Sequence, residues 1–364
     1  MLFETFKLGS LELPNRIVMA PLTRARATAD GVPSPSAALY YAQRATAGLI
    51  VSEGIAPSRQ GQSEPNIPGL YTDEQQDAWS EVTAAVGKSG GRIFAQLMHG
   101  GRVGHPEING LQPLGASSIA AQGTVYTSGG RLPFVTPIEM TVDQIKEQIA
   151  VFVSAAQRAI AAGFDGIELH GANGYLIQQF LSDNSNKRND QYGGSHANRA
   201  RFLVEVATAV SDAIGSDRVG IRLSPGGKFG GMCESDVEGL YRTLIDMLEP
   251  LNLSYLHVLE TATDAVNEMI RDSWSGTLIV NPSFVDLEQM GTVGAQFADR
   301  PNADRWLARG ADLVSFGRYF ISNPDLVRRM REDLELADPE ISTYYSGGDE
   351  GYIDYPEWAP AGSH

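Results

Sequence analysis

The feature that most constrains this chain is an alternation. Eight short apolar, β-rich runs recur along it: residues 16–21 (RIVMAP), 49–53 (LIVSE), 92–97 (RIFAQL), 166–170 (GIELH), 218–223 (RVGIRL), 255–259 (YLHVL), 278–281 (LIVN) and 313–317 (LVSFG). Most lack an apolar/polar period of two, as parallel strands buried on both faces do. Amphipathic stretches separate most of them, at 36–47, 73–88, 141–162, 196–214, 235–248 and 303–309, and another follows the last at 324–336. The stretch at 73 opens with a Thr72-Asp73-Glu74 capping signal. Eight strand–helix units in 364 residues predict an α/β fold, a (β/α)8 TIM barrel, rather than an open doubly wound sheet. Two segments stand outside the alternation. Residues 2–13 (LFETFKLGSLEL) read as a hairpin turning at Gly9-Ser10, suited to plug the barrel bottom. Residues 104–137 form a long Gly/Pro/Ser-rich loop after the third strand, placed to act as a lid on the catalytic face.

Composition narrows the function. A formal charge of −16 with no Lys/Arg run longer than Arg328-Arg329 argues against nucleic acid and anionic membrane as partners. The single cysteine, Cys233, excludes an internal disulfide, a four-Cys zinc site and a Cys-held iron–sulfur cluster, and fits a reducing cytoplasm. No stretch approaches 18 apolar residues and the N-terminus lacks a signal-peptide pattern, so a soluble, non-exported protein is expected. The final Gly362-Ser363-His364 reads as a cloning remnant, which leaves one domain over residues 1–361.

A barrel builds its active site from strand C-termini and the loops after them. Those positions carry Pro21-Leu22-Thr23, Glu53-Gly54, Gln96 with Met98-His99, His170 to Tyr175, Arg222 with Ser224-Pro225, Asn281-Pro282-Ser283 and Gly317-Arg318. There is no His-x-His, no carboxylate cluster, and none of the five lysines ends a strand, so no metal site and no Schiff-base nucleophile is expected. What remains suits holding a polar aromatic ring and polarising a carbonyl, with a cofactor supplying the hard chemistry. Taken singly, each residue has a plain structural reading: His170 as a satisfied buried histidine, Asn173 as a helix cap, Arg222 as an ion pair, Tyr175 as core, Glu168 as an orienting neighbour of His170, Gly317-Arg318 as a tight turn. Convergence of distant strand ends on one face favours function.

These residues lie in strings that together resemble the Old Yellow Enzyme family of FMN-dependent ene reductases, in its yeast- and enterobacterial-like branch: NRIVMAPLT from 15, YYAQRATAGLIVSE from 40, PGLYTDEQ from 68, GRIFAQLMH from 91, AGFDGIELHGANGYLI from 162, FLSDNSNKRNDQYGGSHAN from 180, GIRLSP from 220, VSFGRYFISNPDL from 314 and GYIDYP from 351. They span nearly the whole chain in family order. The resemblance implies bound FMN, reduced by NADPH or NADH, in a monomer or homodimer acting on a small activated alkene, an α,β-unsaturated carbonyl or nitro compound. It implies that Pro21, Leu22, Thr23, Gly54, Gln96, Arg222, Ser283, Gly317 and Arg318 bind the cofactor: Thr23 at O4, Gln96 at the pyrimidine edge, Arg222 near N1 and O2, Gly317 and Arg318 at the phosphate. His170 and Asn173 would donate to the substrate oxygen, Tyr175 would protonate the α-carbon after hydride arrives from flavin N5, and Tyr71, Met98 and Tyr352 would line the pocket. A nitro or nitrate ester reductase and a low-turnover flavin-binding stress protein are the alternatives. Departures are Met98 where relatives usually carry Trp, Gly54 where Ala is usual, Asn281-Pro282-Ser283 in place of a frequent Gly-Gly, and roughly a dozen extra residues between Asn281 and Gly317.

Overall fold

The computed structural model of the chain describes residues 1–282 and 298–360. Eight strands, Ile17–Met19, Leu49–Ile55, Ile93–Leu97, Gly166–Gly171, Val219–Leu223, Tyr255–Leu259, Leu278–Asn281 and Leu313–Phe316, close into a barrel. Every neighbouring pair is parallel and neighbours follow chain order, the eighth strand pairing with the first. The expected (β/α)8 barrel is therefore the fold, and each of the eight apolar runs is a barrel strand.

Helices Ser36–Ala42, Asp73–Lys88, Val142–Ala161, His196–Ile214, Val237–Leu248 and Arg300–Ala308 occupy the amphipathic stretches. Asp73–Lys88 begins with a full capping box, in which the partner of Thr72 is Gln75 rather than Glu74. Among the described residues four helices escape the sequence pattern, the short Pro106–Asn109 and Tyr319–Ser322 and two longer ones. Leu176–Leu181 is buried on all sides, so it has no polar face to mark it. Asp264–Ser273, between the sixth and seventh strands, buries only Val266, Asn267, Met269 and Ile270.

The N-terminal strands Phe6–Leu8 and Leu11–Leu13 form the expected hairpin, with Gly9 at φ +55°. Leu8 and Leu13 pack against Val18, Leu49, Phe94 and Tyr255, inside the barrel floor. The Phe94 and Tyr255 rings, 5.6 Å apart, fit there because their neighbours are glycines. A Cβ on Gly166 would stand 2.5 Å from the Phe94 ring, and one on Gly220 would stand 2.2 Å from the Tyr255 ring.

Strand alternation then sets the layers. Two residues above the floor, the same inward faces carry Gln96, Glu168, His257 and Ser315, and above these lie His170, Arg222 and Asn281. The loop after the third strand is more ordered than a plain lid. It holds helix Pro106–Asn109 and an antiparallel hairpin of Thr124–Thr127 with Gly130–Pro133. Arg188, after the fourth strand, ties it down by donating to the Ala116 and Met140 carbonyls at 2.9 and 2.7 Å.

Candidate active site

The fourth strand brings the sequence-derived residues together. His170 is paired in register with Arg222, and Glu168 sits opposite Gln96 on the other side. Past the strand end, Asn173 and Gly174 both adopt positive φ, at 55° and 78°. The turn is fixed by Asn173 N–H donating to Ser224 Oγ at 3.0 Å and Gly174 N–H to Gln178 Oε1 at 2.7 Å. Asn173 is not a helix cap: Tyr175 holds the N-cap position of Leu176–Leu181. The Tyr175 ring lies 5.1 Å from the His170 ring.

Beneath them runs a buried polar network. Glu168 Oε2 accepts from His257 Nδ1 at 2.7 Å, and its Oε1 accepts from Gln96 Nε2 at 2.8 Å. Gln96 Nε2 also meets His170 Nδ1 at 3.2 Å. Arg222 donates to His257 Nε2 at 2.6 Å and to Asn281 Oδ1 at 2.6 Å. Ser315 Oγ lies 2.8 Å from His257 Nε2. Burial opposes the charge on Glu168, but His257, Arg222 and Gln96 outweigh it and hold the carboxyl below its usual range. Burial and the Arg222 charge push His170 down to about 3 and His257 down to about 4, so both rings are neutral. Burial, then the nearby Glu64 and Tyr345, push the Tyr175 phenol well above the usual range, so it keeps its proton.

Met98, Tyr175 and Tyr71 share an apolar cluster with Ala56 and Ile67, which sets Met98 and Tyr71 beside the candidate proton donor. Gly54 faces Met98 closely, and a Cβ there would stand 2.6 Å from the Met98 sulfur. Pro21, Leu22 and Thr23 follow the first strand, next to the strand that carries Gly54; they are half-buried, and Leu22 packs at Gly317. Arg318 lies 5.8 Å from the Tyr344 ring.

One sequence expectation comes out differently, and another lies outside the described residues. Tyr352 does not line the pocket: it is 1% exposed and stacked on Tyr40 at 4.2 Å, with Arg24 and Arg26 over its ring. Tyr345 is the C-terminal aromatic whose phenol interacts with Tyr175. Arg24 and Arg26 hold that segment in place by donating to the carbonyls of Thr343, Tyr344, Gly348, Glu350 and Gly351. Asn281 belongs to the inner network, its side chain being engaged by Arg222 and the Ser315 carbonyl. Ser283 and much of the extra stretch lie outside the described residues. The sequence reading also passed over His257, whose signal was a lone polar residue inside an apolar strand run.

The donors fit a flavin. Arg222 Nε is buried with no partner among the described residues, at a strand end where a ring acceptor would satisfy it. Gln96 spends its N–H groups on Glu168 and His170, which leaves its carbonyl to face a ring N–H. At Gly317 a Cβ would meet only Leu22, at 3.4 Å, so the backbone there is open to close approach. Among the described residues no His/Cys/Asp/Glu group is placed to hold a metal ion, and no helix is long and apolar enough to cross a membrane.

Residues 1–337 match the NADH:flavin oxidoreductase / NADH oxidase family. The chain is 40% identical over 377 residues to flavin oxidoreductase hxnT of Emericella nidulans, covering 98% of this chain and 97% of that one. It is 36% identical to a probable flavin mononucleotide-dependent alkene reductase of Leishmania infantum, with 98% and 97% covered. Among solved structures, the old yellow enzyme homologue from Zymomonas mobilis superposes with a TM-score of 0.91 at 38% identity, over 98% of this chain and 99% of that one. Morphinone reductase in complex with tetrahydroNAD also gives 0.91, at 40% identity over 100% and 99%. Matched from residue 1 to 337 and aligned with these relatives along nearly its whole length, the chain belongs to the NADH:flavin oxidoreductase / NADH oxidase family, as an FMN-dependent oxidoreductase of the Old Yellow Enzyme type.

Proposed function

We propose that the protein is an NAD(P)H-dependent ene reductase acting on small α,β-unsaturated carbonyl or nitro compounds, as one FMN-binding barrel domain over residues 1–361. FMN, when bound, supplies the route by which an electron pair passes from NADPH or NADH to the alkene. Thr23, Gln96 and Arg222 hold the ring, with Pro21, Leu22 and Gly54 against it and Gly317 and Arg318 at the phosphate. His170 and Asn173 donate to the substrate oxygen as negative charge gathers there, each hydrogen bond contributing on the order of 2–4 kcal/mol in a dry site. Tyr175 gives its proton to the α-carbon. Met98 and Tyr71 shape the space around it. The exposed thiol of Cys233, alone in the chain, suits the reducing cytoplasm proposed as the setting.

One observation carries this reading. A neutral histidine and a protonated tyrosine stand 5.1 Å ring to ring at the barrel mouth, one able to donate to an oxygen and the other to a carbon. The test is anaerobic. NADPH should bleach the yellow protein, and cyclohexenone should restore the colour with formation of cyclohexanone. Tyr175→Phe should bleach normally but recover far more slowly. Recovery at the wild-type rate would remove Tyr175 from the proton step.

A further inference from the structure

Glu168 is 0% exposed, in the polar layer between the apolar floor and the site. Burying a carboxylate there is costly, and apolar residues of similar volume would fill the layer more cheaply. Its bonds have a property that apolar filler lacks. An ionised carboxylate only accepts, so it dictates which way each neighbouring hydrogen bond points.

The consequences follow in two directions. Toward the sixth strand, Glu168 Oε2 requires a proton on His257 Nδ1, 2.7 Å away, which leaves His257 Nε2 as an acceptor for Arg222 at 2.6 Å. Toward the third strand, Oε1 requires the amide nitrogen of Gln96, 2.8 Å away, to face it. That same nitrogen lies 3.2 Å from His170 Nδ1, which must then be the lone-pair nitrogen. The ring proton of His170 therefore sits on Nε2, where it is free to meet a substrate oxygen.

We propose that Glu168, acting through Gln96, is a positioning residue that fixes the Nε2–H tautomer of His170 and so makes it a hydrogen-bond donor to substrate. Glu168→Gln reverses the polarity. The new amide keeps its oxygen toward His257 Nδ1–H and turns its NH₂ toward Gln96. Gln96 must flip to accept it, and its oxygen then faces His170 Nδ1. His170 moves its proton to Nδ1 and presents a bare Nε2 lone pair to the substrate oxygen. The proposal rests on His170 being the oxygen-binding group.

The test reads the tautomer directly, by ¹⁵N NMR of histidine-labelled protein with and without FMN, together with titration of a para-substituted phenol against FMN-loaded protein. Wild type should show the Nε2–H form. Glu168→Gln should shift His170 to Nδ1–H and weaken phenol binding at least tenfold. Gln96→Leu serves if Glu168→Gln does not fold. It leaves His170 Nδ1 without a partner, and the two tautomers should then mix. His170 remaining wholly Nε2–H in either folded variant overturns the proposal. His170→Ala separates the two ideas: unchanged phenol affinity there refutes oxygen binding at His170, while the NMR result alone still decides the relay.

Discussion

Gly54 and Met98, the two pocket positions that the resemblance marked as unusual, are in one contact. Substituting Gly54 by Ala puts a methyl 2.6 Å from Met98 Sδ, 2.7 Å from its Cε and 3.2 Å from its Cβ. Ordinary contacts need about 3.5–4.0 Å, so the thioether end must retreat by roughly 1 Å. Met98 is 2% exposed and packed against Ala56, Ile67 and Tyr175, so it has little room to retreat into. Overpacking of this kind costs about 1–3 kcal/mol, and the flexibility of Met puts the cost at the lower end. Met98→Ala empties the same space and costs about 2–5 kcal/mol. In the double variant the methyl introduced by Gly54→Ala occupies part of the void that the truncation leaves. The two changes should therefore couple favourably, by at least about 1 kcal/mol. The assay is urea unfolding of wild type, both single variants and the double variant at one saturating FMN concentration, since bound ligand itself adds stability. Additivity within about 0.5 kcal/mol would refute the argument, because it would mean that Met98 leaves its niche freely. The same contact bears on selectivity. Met98→Trp should cut kcat/KM for a β-substituted cyclohexenone at least roughly tenfold, about 1.4 kcal/mol, with a much smaller change for cyclohexenone itself.

Tyr175→Phe should lose most activity toward enones while keeping FMN and nitro-compound reduction; equal losses on both substrates, measured by steady-state kinetics, would show that the hydroxyl serves more than protonation. Replacing His170 and Asn173 together by Ala should abolish the long-wavelength charge-transfer band given by phenols with the flavin retained, and a band of normal intensity would place the oxygen site elsewhere. The folded protein holds His99 at about 4, His170 at about 3 and His257 at about 4, each depressed first by burial. The unfolded chain binds those protons from about pH 6.5 downward, so the stability these rings contribute is complete above that pH. It is lost as pH falls toward 4, by up to about 1.4 kcal/mol per pH unit for each ring. His99→Gln should accordingly lose less stability than wild type between pH 7 and pH 5 in urea unfolding, and parallel losses would refute it.

What was legible in the sequence was local. The eight strands show because parallel strands buried on both faces are written as unbroken apolar runs. Helices Asp73–Lys88 and His196–Ile214 show through their amphipathic faces, the first also through its N-cap Thr72. His170, Asn173, Tyr175, Gln96 and Arg222 stand out as candidates because barrel geometry makes strand ends special. What stayed hidden depends on partners far away in sequence. His257, 89 residues from Glu168, acquires its role only across the barrel interior. The placement of Tyr352 and Tyr345 is not legible locally, because the path of the C-terminal segment is set by arginines more than 300 residues earlier.

That long-range clamp has a consequence for how the enzyme is made. Arg24 is 0% exposed, and the carbonyls it binds lie 319 to 327 residues later. While the chain is being synthesised, the guanidinium emerges from the ribosome long before its partners are translated, and it stays hydrated until they arrive. The barrel strands can pair progressively, but the segment that carries Tyr344 and Tyr345 can dock on Arg24 only once residues 343–351 have left the exit tunnel. A chain truncated after residue 340 should thus keep its eight barrel strands while Arg24 lacks these three carbonyl partners, and restoring the chain through residue 351 should restore all three contacts together.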